Sequence, residues 1–145
     1  MSTILNTLIF DRTVDDLIND TDKAYIAYTD LNRVEEACKH LANLFGVSIN
    51  TKVWSIEDFR TESEMNRLLE NIKKVREVYY TKISTPHTPV RITYDSIYQA
   101  NDIEKILKDL GDMYESTLSG QQRLSFSLGR KSIGNRRQDG TKNKL

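Results

Sequence analysis

Cys38 and His40 lie two positions apart in the stretch YTDLNRVEEACKHLANLF, residues 28–45. A thiolate and an imidazole are the side chains that bind transition metals or form nucleophile–base pairs. The stretch reads as one helix, however. Successive helical residues turn by about 100°, so an i, i+2 pair stands about 200° apart. Two ligands of one metal on a helix need a spacing of three or four. Cys38 falls on the apolar stripe and His40 points away from it, which makes them a core cysteine and a surface histidine. His87 sits in a loop between Pro86 and Pro89 with no companion ligand in sequence.

Carboxylates are the other candidates for chemistry. Asp15–Asp16, Glu35–Glu36 and Glu57–Asp58 form adjacent pairs. Each is expected on an exposed helix face or near a helix N-terminus, where negative charge complements the helix dipole. A catalytic pair needs burial to separate its two pKa values. The chain has no glycine-rich phosphate loop, no nucleophile elbow and no HExxH. The expectation is a protein without catalytic, cofactor-binding or metal-ligating residues.

The elements that carry these residues are helical. Leu31, Val34, Cys38, Leu41, Leu44 and Phe45 recur at steps of three and four, with start signals near Thr29 or Asp30 and Gly46 at the expected C-terminal cap. Thr61 and Glu64 form a capping-box signature before a second stripe, Met65, Leu68, Leu69, Ile72, Val75 and Tyr79. Helix is not expected beyond Lys82, because Pro86 and Pro89 lie ahead. A third long helix begins near Asp95 and carries Ile97, Ala100, Ile103, Leu107, Leu110, Tyr114 and Leu118, with Gly111 weakening its last turns. Ile4, Leu5, Leu8 and Ile9 are also at helical spacing. Thr13 with Asp16 predicts a short capped helix whose Val14, Leu17 and Ile18 face inward. Trp54 is the single tryptophan, an anchor in the connector VSINTKVWSIEDF.

The fold expected is mainly α, a small bundle of about three long helices over residues 11–118. An N-terminal segment, 1–10, and an extended C-terminal arm, 119–145, lie outside it. The 145 residues suit one domain, and one cysteine excludes an internal disulfide and points to a reducing compartment. The N-terminus has no basic residue before its short apolar run, unlike a secretory signal. No apolar run approaches the ~18 residues that span a membrane, so no membrane partner is expected.

The zero net charge conceals a division. Residues 119–145 hold seven basic groups against Asp139 alone, +6, which leaves 14 of the 21 basic and 20 of the 21 acidic groups elsewhere, −6. In the same segment Leu124, Phe126 and Leu128 alternate like one face of a strand. It could be a solvating tail, a phosphate-binding arm acting through Arg130, Lys131, Arg136 and Arg137, or an assembly arm whose LSFSL adds a strand to a neighbour's edge. A solvating tail needs no alternating apolar residues, and nucleic-acid arms carry denser charge with interleaved aromatics. Assembly is therefore favoured, with Leu124, Phe126, Leu128, Arg130, Lys131, Arg136 and Arg137 as the partner-binding residues.

DRT at 11–13, AYTDLNRVE at 27–35, Trp54, MNRLLENI at 65–72 and YQANDIEKIL at 98–107 resemble small structural proteins of tailed phages, and of prophage-derived tail particles, of Gram-positive bacteria. The likeness covers most of residues 11–110 and fades in the basic tail. It implies a non-enzymatic virion part of the tail or baseplate, an adaptor or fibre-attachment component. Such a part is made in the host cytoplasm and binds other tail or baseplate proteins and copies of itself. The alternative is a small intracellular nucleic-acid-binding or regulatory protein using its basic tail. On this reading residues 28–45 pack. Thr29, Asp30 and Asn32 shape the helix start, while Arg33 and Glu35 or Glu36 are solvent-side or inter-subunit groups. The YTDLNRVE and ANDIEKIL blocks lie near each other. Asn101 and Asp102 need hydrogen-bond partners on another element.

Overall fold

The computed structural model describes residues 3–93 and 96–130, with side-chain environments over 4–93 and 96–118. Five α-helices follow in order: α1 Thr3–Asn6, α2 Val14–Ile18, α3 Tyr28–Phe45, α4 Glu62–Glu77 and α5 Ile97–Arg130, with a short 3-10 turn at Asp22–Ala24. The protein is thus mainly α, with three long helices and no strand among the described residues. One compact unit spans Met1–Tyr114 and a second spans Glu115–Leu145.

Local chemistry sets each helix boundary in the first unit. α3 starts at Tyr28, slightly earlier than the Thr29 or Asp30 expected, because the Asp30 carboxylate reaches back to accept the Ala27 N–H at 2.8 Å. It ends at Gly46, whose left-handed φ of 73° lets the Val47 N–H return to the Ala42 carbonyl at 2.9 Å. Thr61 caps α4, its hydroxyl accepting the Glu64 N–H at 3.2 Å. Glu62 and Glu64 in the first turn of α4, with Lys74 and Arg76 in the last, complement its dipole. The Ser96 hydroxyl accepts the Tyr98 N–H at 3.1 Å and opens α5.

The expected stripes meet in one core. Leu31, Val34, Cys38 and Leu41 of α3 pack with Leu68, Leu69, Ile72 and Val75 of α4 and Ile103, Leu107 and Leu110 of α5. Trp54 is buried among them, as an anchor should be. The far end of the stripes closes on aromatics. Phe45 and Tyr79 stack at 4.8 Å between centroids, and Tyr114 tilts against both. Burial pushes the Cys38 thiol well above its usual range, with the Glu35 charge adding to the effect.

Several expectations are corrected. The N-terminal segment is not outside the bundle: Leu5 and Leu8 are buried in the core, and α1 packs on α3. Leu44 and Leu118 are exposed although both fit their stripes, since a 3.6-residue period drifts across any flat interface. Helix α2 does not face inward. Its Val14, Leu17 and Ile18 are 50%, 49% and 73% exposed, and it buries no residue. Its position is set by polar bonds instead: Asp16 accepts the Thr13 N–H at 2.9 Å and the Thr21 hydroxyl at 3.1 Å.

The backbone of 119–130 also differs from expectation. It continues α5 as helix to Arg130, so Leu124, Phe126 and Leu128 do not stand on a strand. No proline interrupts 97–130, Gln, Arg and Leu are good helix formers, and extending an existing helix avoids the nucleation cost. Among the described residues the alternation has no strand edge to pair with. Of the expected partner-binding residues, Arg130 closes this helix, and Lys131, Arg136 and Arg137 lie outside the described residues.

Leu5 tests whether the N-terminus belongs to the core. Leu5→Ala should lower unfolding free energy by about 2–5 kcal/mol, as for a fully buried leucine. Urea unfolding followed by circular dichroism checks it, and a loss below about 0.5 kcal/mol would return the segment to the outside.

Candidate functional site

Arg12 of DRT and Arg33 of AYTDLNRVE converge on Glu104, which YQANDIEKIL places on α5. Its Oε1 accepts the Ile9 N–H at 2.8 Å and Arg33 Nε at 2.7 Å, and its Oε2 accepts Arg12 NH2 at 2.8 Å and Arg33 NH2 at 2.9 Å. Arg33 NH2 also donates to Asp30 Oδ1 at 2.6 Å. The buried Arg12 guanidinium donates from Nε to the Lys23 carbonyl at 2.7 Å and from NH1 to the Ile9 carbonyl at 3.0 Å. Asn101, one turn before Glu104, accepts the Arg12 N–H at 3.1 Å and donates to the Arg12 carbonyl at 2.9 Å. Two guanidiniums and two carboxylates therefore neutralise one another inside the body. Burial alone would lower the Arg33 pKa, but its bonds to Glu104 and Asp30 outweigh that and raise it.

YTDLNRVE and ANDIEKIL thus do adjoin, through Arg33 and Glu104, and Asn101 has the inter-element partner its place in a helix demands. Asp102 has none among the described residues, and partial burial raises its pKa. The expectation that Arg33 faces solvent or another subunit is overturned, and of the alternatives Glu35 or Glu36 only Glu36 does so. Arg33 is largely enclosed by Glu104, and Glu35 is buried, while Glu36 is exposed.

Glu35 centres a second cluster. It accepts the Trp54 indole N–H at 2.8 Å and both terminal nitrogens of Arg67, from NH1 at 3.1 Å. That pairing raises the Arg67 pKa. Asn32 does not shape the helix start. It clamps the Trp54 backbone, accepting the N–H at 2.6 Å and donating to the carbonyl at 3.0 Å. Arg67 and Asn71 both donate to the Asn50 carbonyl at 2.6 Å. A third cluster holds the proline loop. Buried Asp109 accepts the Thr85 hydroxyl at 2.6 Å and Lys105 Nζ at 2.8 Å. Burial raises its pKa, but these bonds prevail and hold it below the usual carboxylate range.

None of the three clusters leaves a carboxylate facing an open cleft with its acid–base capacity free. Cys38 is buried, His40 is half-buried and His87 is exposed. Among the described residues no group of three or more His, Cys, Asp or Glu is placed to hold a metal ion, and no helix is long and apolar enough to cross a membrane. No family model, curated protein or solved structure matches the chain.

Glu104→Gln keeps the shape and removes the charge between Arg12 and Arg33. It should cost about 3–5 kcal/mol, the usual penalty for stranding a buried charge. Glu36→Gln, on the exposed face of α3, should stay within about 0.5 kcal/mol. Thermal and urea unfolding of the two variants check the contrast; equal small losses would remove Glu104 from its central place.

Proposed function

We propose that the protein is a non-enzymatic structural component of a phage tail or baseplate, an adaptor or fibre-attachment part. It assembles through its helical body and the segment 119–145, and its partners are other tail or baseplate proteins and copies of itself. It is made in the host cytoplasm and ends in the tail region of the virion. The observation that carries this reading is where the charges of the quoted blocks go. Arg12, Asp30, Arg33, Glu35 and Glu104 come from DRT, AYTDLNRVE and YQANDIEKIL, and all are engaged in internal ion pairs. An acid–base catalyst keeps a titratable group within reach of a substrate proton. Blocks whose polar residues hold three chain segments together suit a part that must keep its shape in an assembly.

One feature favours a second reading, a small intracellular nucleic-acid-binding or regulatory protein: the seven basic residues against one acid in 119–145. Salt separates the two. Phosphate-driven binding falls linearly on a log–log plot against salt concentration, whereas apolar assembly changes little.

The full chain should co-sediment with phage tail particles. Leu124→Ser combined with Phe126→Ser should leave the thermal melt intact and abolish incorporation. Wild-type occupancy by the double variant would reject the assembly role of the segment.

A further inference from the structure

Val14, Leu17 and Ile18 of α2 and Tyr25 just after the 3-10 turn are exposed together, within twelve residues of chain. Leu17 and Tyr25 also line an open cleft of about 460 Å³ with Ile97 and Tyr98, the first residues of α5. Isolated exposed apolar residues are ordinary, but a contiguous group beside a cleft marks a contact surface. Helix α2 is anchored with its aliphatic side chains outward, because Asp16 is committed to Thr13 and Thr21. The conformation is therefore prepared before any partner arrives.

The charge around this surface selects the partner. Asp11, Asp15, Asp20 and Asp22 are exposed and interleave with the apolar residues. Of the two basic groups in 11–25, Arg12 is buried against Glu104, and Lys23 pairs with Asp11 at 3.3 Å. Arg60 also lines the cleft, where its guanidinium donates to the Ile26 carbonyl, but against four exposed aspartates the surface stays net acidic and disfavours phosphate and therefore nucleic acid. It also repels the same acidic surface of another copy. The segment of this chain with the complementary character is 119–145, with seven basic residues, Leu124, Phe126 and Leu128. Ile97 at the cleft and Tyr114 stand about 25 Å apart along α5, so the chain leaves this body far from the surface, which favours a second copy as the source of the segment.

We propose that the acidic, apolar surface formed by α2 and residues 20–25 receives the basic segment 119–145 of a second copy. The inference rests on reading that segment as an assembly arm, and it names the surface the arm meets. A helix laid on an apolar groove is an established mode of recognition, and the flanking unlike charges set its orientation. Because donor and receiver are different patches, the contact is head-to-tail and builds a closed ring or an open chain.

Full-length protein carrying Ile18→Cys is mixed with full-length protein carrying Phe126→Cys and a mass tag, under mild oxidation. Cys38 stays native, since its burial keeps it out of the reaction. A disulfide-linked hetero-pair should form, and be lost when Ile18→Cys is replaced by Glu70→Cys on the exposed face of α4. Linkage at Glu70→Cys equal to or above that at Ile18→Cys overturns the proposed surface while leaving the arm an assembly element. Absence of linkage at both positions also overturns the surface. If the Leu124→Ser, Phe126→Ser chain then still enters particles, the assembly reading falls with it.

Discussion

A single buried carboxylate, Glu104, ties the N-terminal segment, α3 and α5 to one another. Moving an ion of that size out of water costs several kcal/mol, and only well-placed counter-charges and hydrogen bonds offset it. Glu104 receives donors from the Ile9 amide, Arg12 and Arg33. These come from the N-terminal strand-less segment and from α3, while Glu104 rides on α5. Sliding α5 by one turn, about 5.4 Å, would strip all of these donors at once. The network thus selects one register among the many that apolar stripes would tolerate, because leucines packed on isoleucines discriminate poorly between neighbouring offsets.

The same device recurs wherever the chain is irregular. The connector between α3 and α4 has no repeating backbone pattern, yet its Asn50 carbonyl and Trp54 amide and carbonyl are taken up by Arg67, Asn71 and Asn32. The proline loop is held likewise, with Arg76 donating to the Pro86 carbonyl at 2.7 Å and Thr85 donating to Asp109. Helical side chains do for these loops what a ladder does for a strand. This explains how a body with three long helices and two long connectors keeps a single arrangement. It also leaves the outward-facing α2 as one part of the body whose apolar residues have no internal task, alongside Val53, Ile56 and Phe59 of the connector.

Much of this architecture was legible in the sequence, and the exceptions have physical causes. The stripes of α3, α4 and α5 announced themselves by period, and Gly46 and Thr61 by their capping chemistry. The placement of Arg33 and Glu35 did not follow from period alone, since charged residues default to solvent. A signal was nevertheless present: Leu31, Glu35 and Cys38 stand at steps of four and three, as do Ile97, Asn101 and Glu104, so polar residues occupy stripe positions. The choice of partner, Arg33 with Glu104 and Glu35 with Arg67, depends on packing that no local pattern encodes. For α2 the pattern identifies an apolar side but not whether the body or another molecule covers it. For 124–128 a five-residue alternation competed with a helix already under way, and the helix prevailed.

The central claim is that the charged residues of the quoted blocks are structural, coupled to one another across the body. A double-mutant cycle on Arg12→Met and Glu104→Gln, with unfolding free energies from urea titration, measures that coupling directly. The account predicts an interaction of about 2 kcal/mol or more, against less than about 0.5 kcal/mol for the exposed Glu70–Lys73 pair treated the same way. A coupling for Arg12 and Glu104 no larger than that of the exposed pair would contradict it.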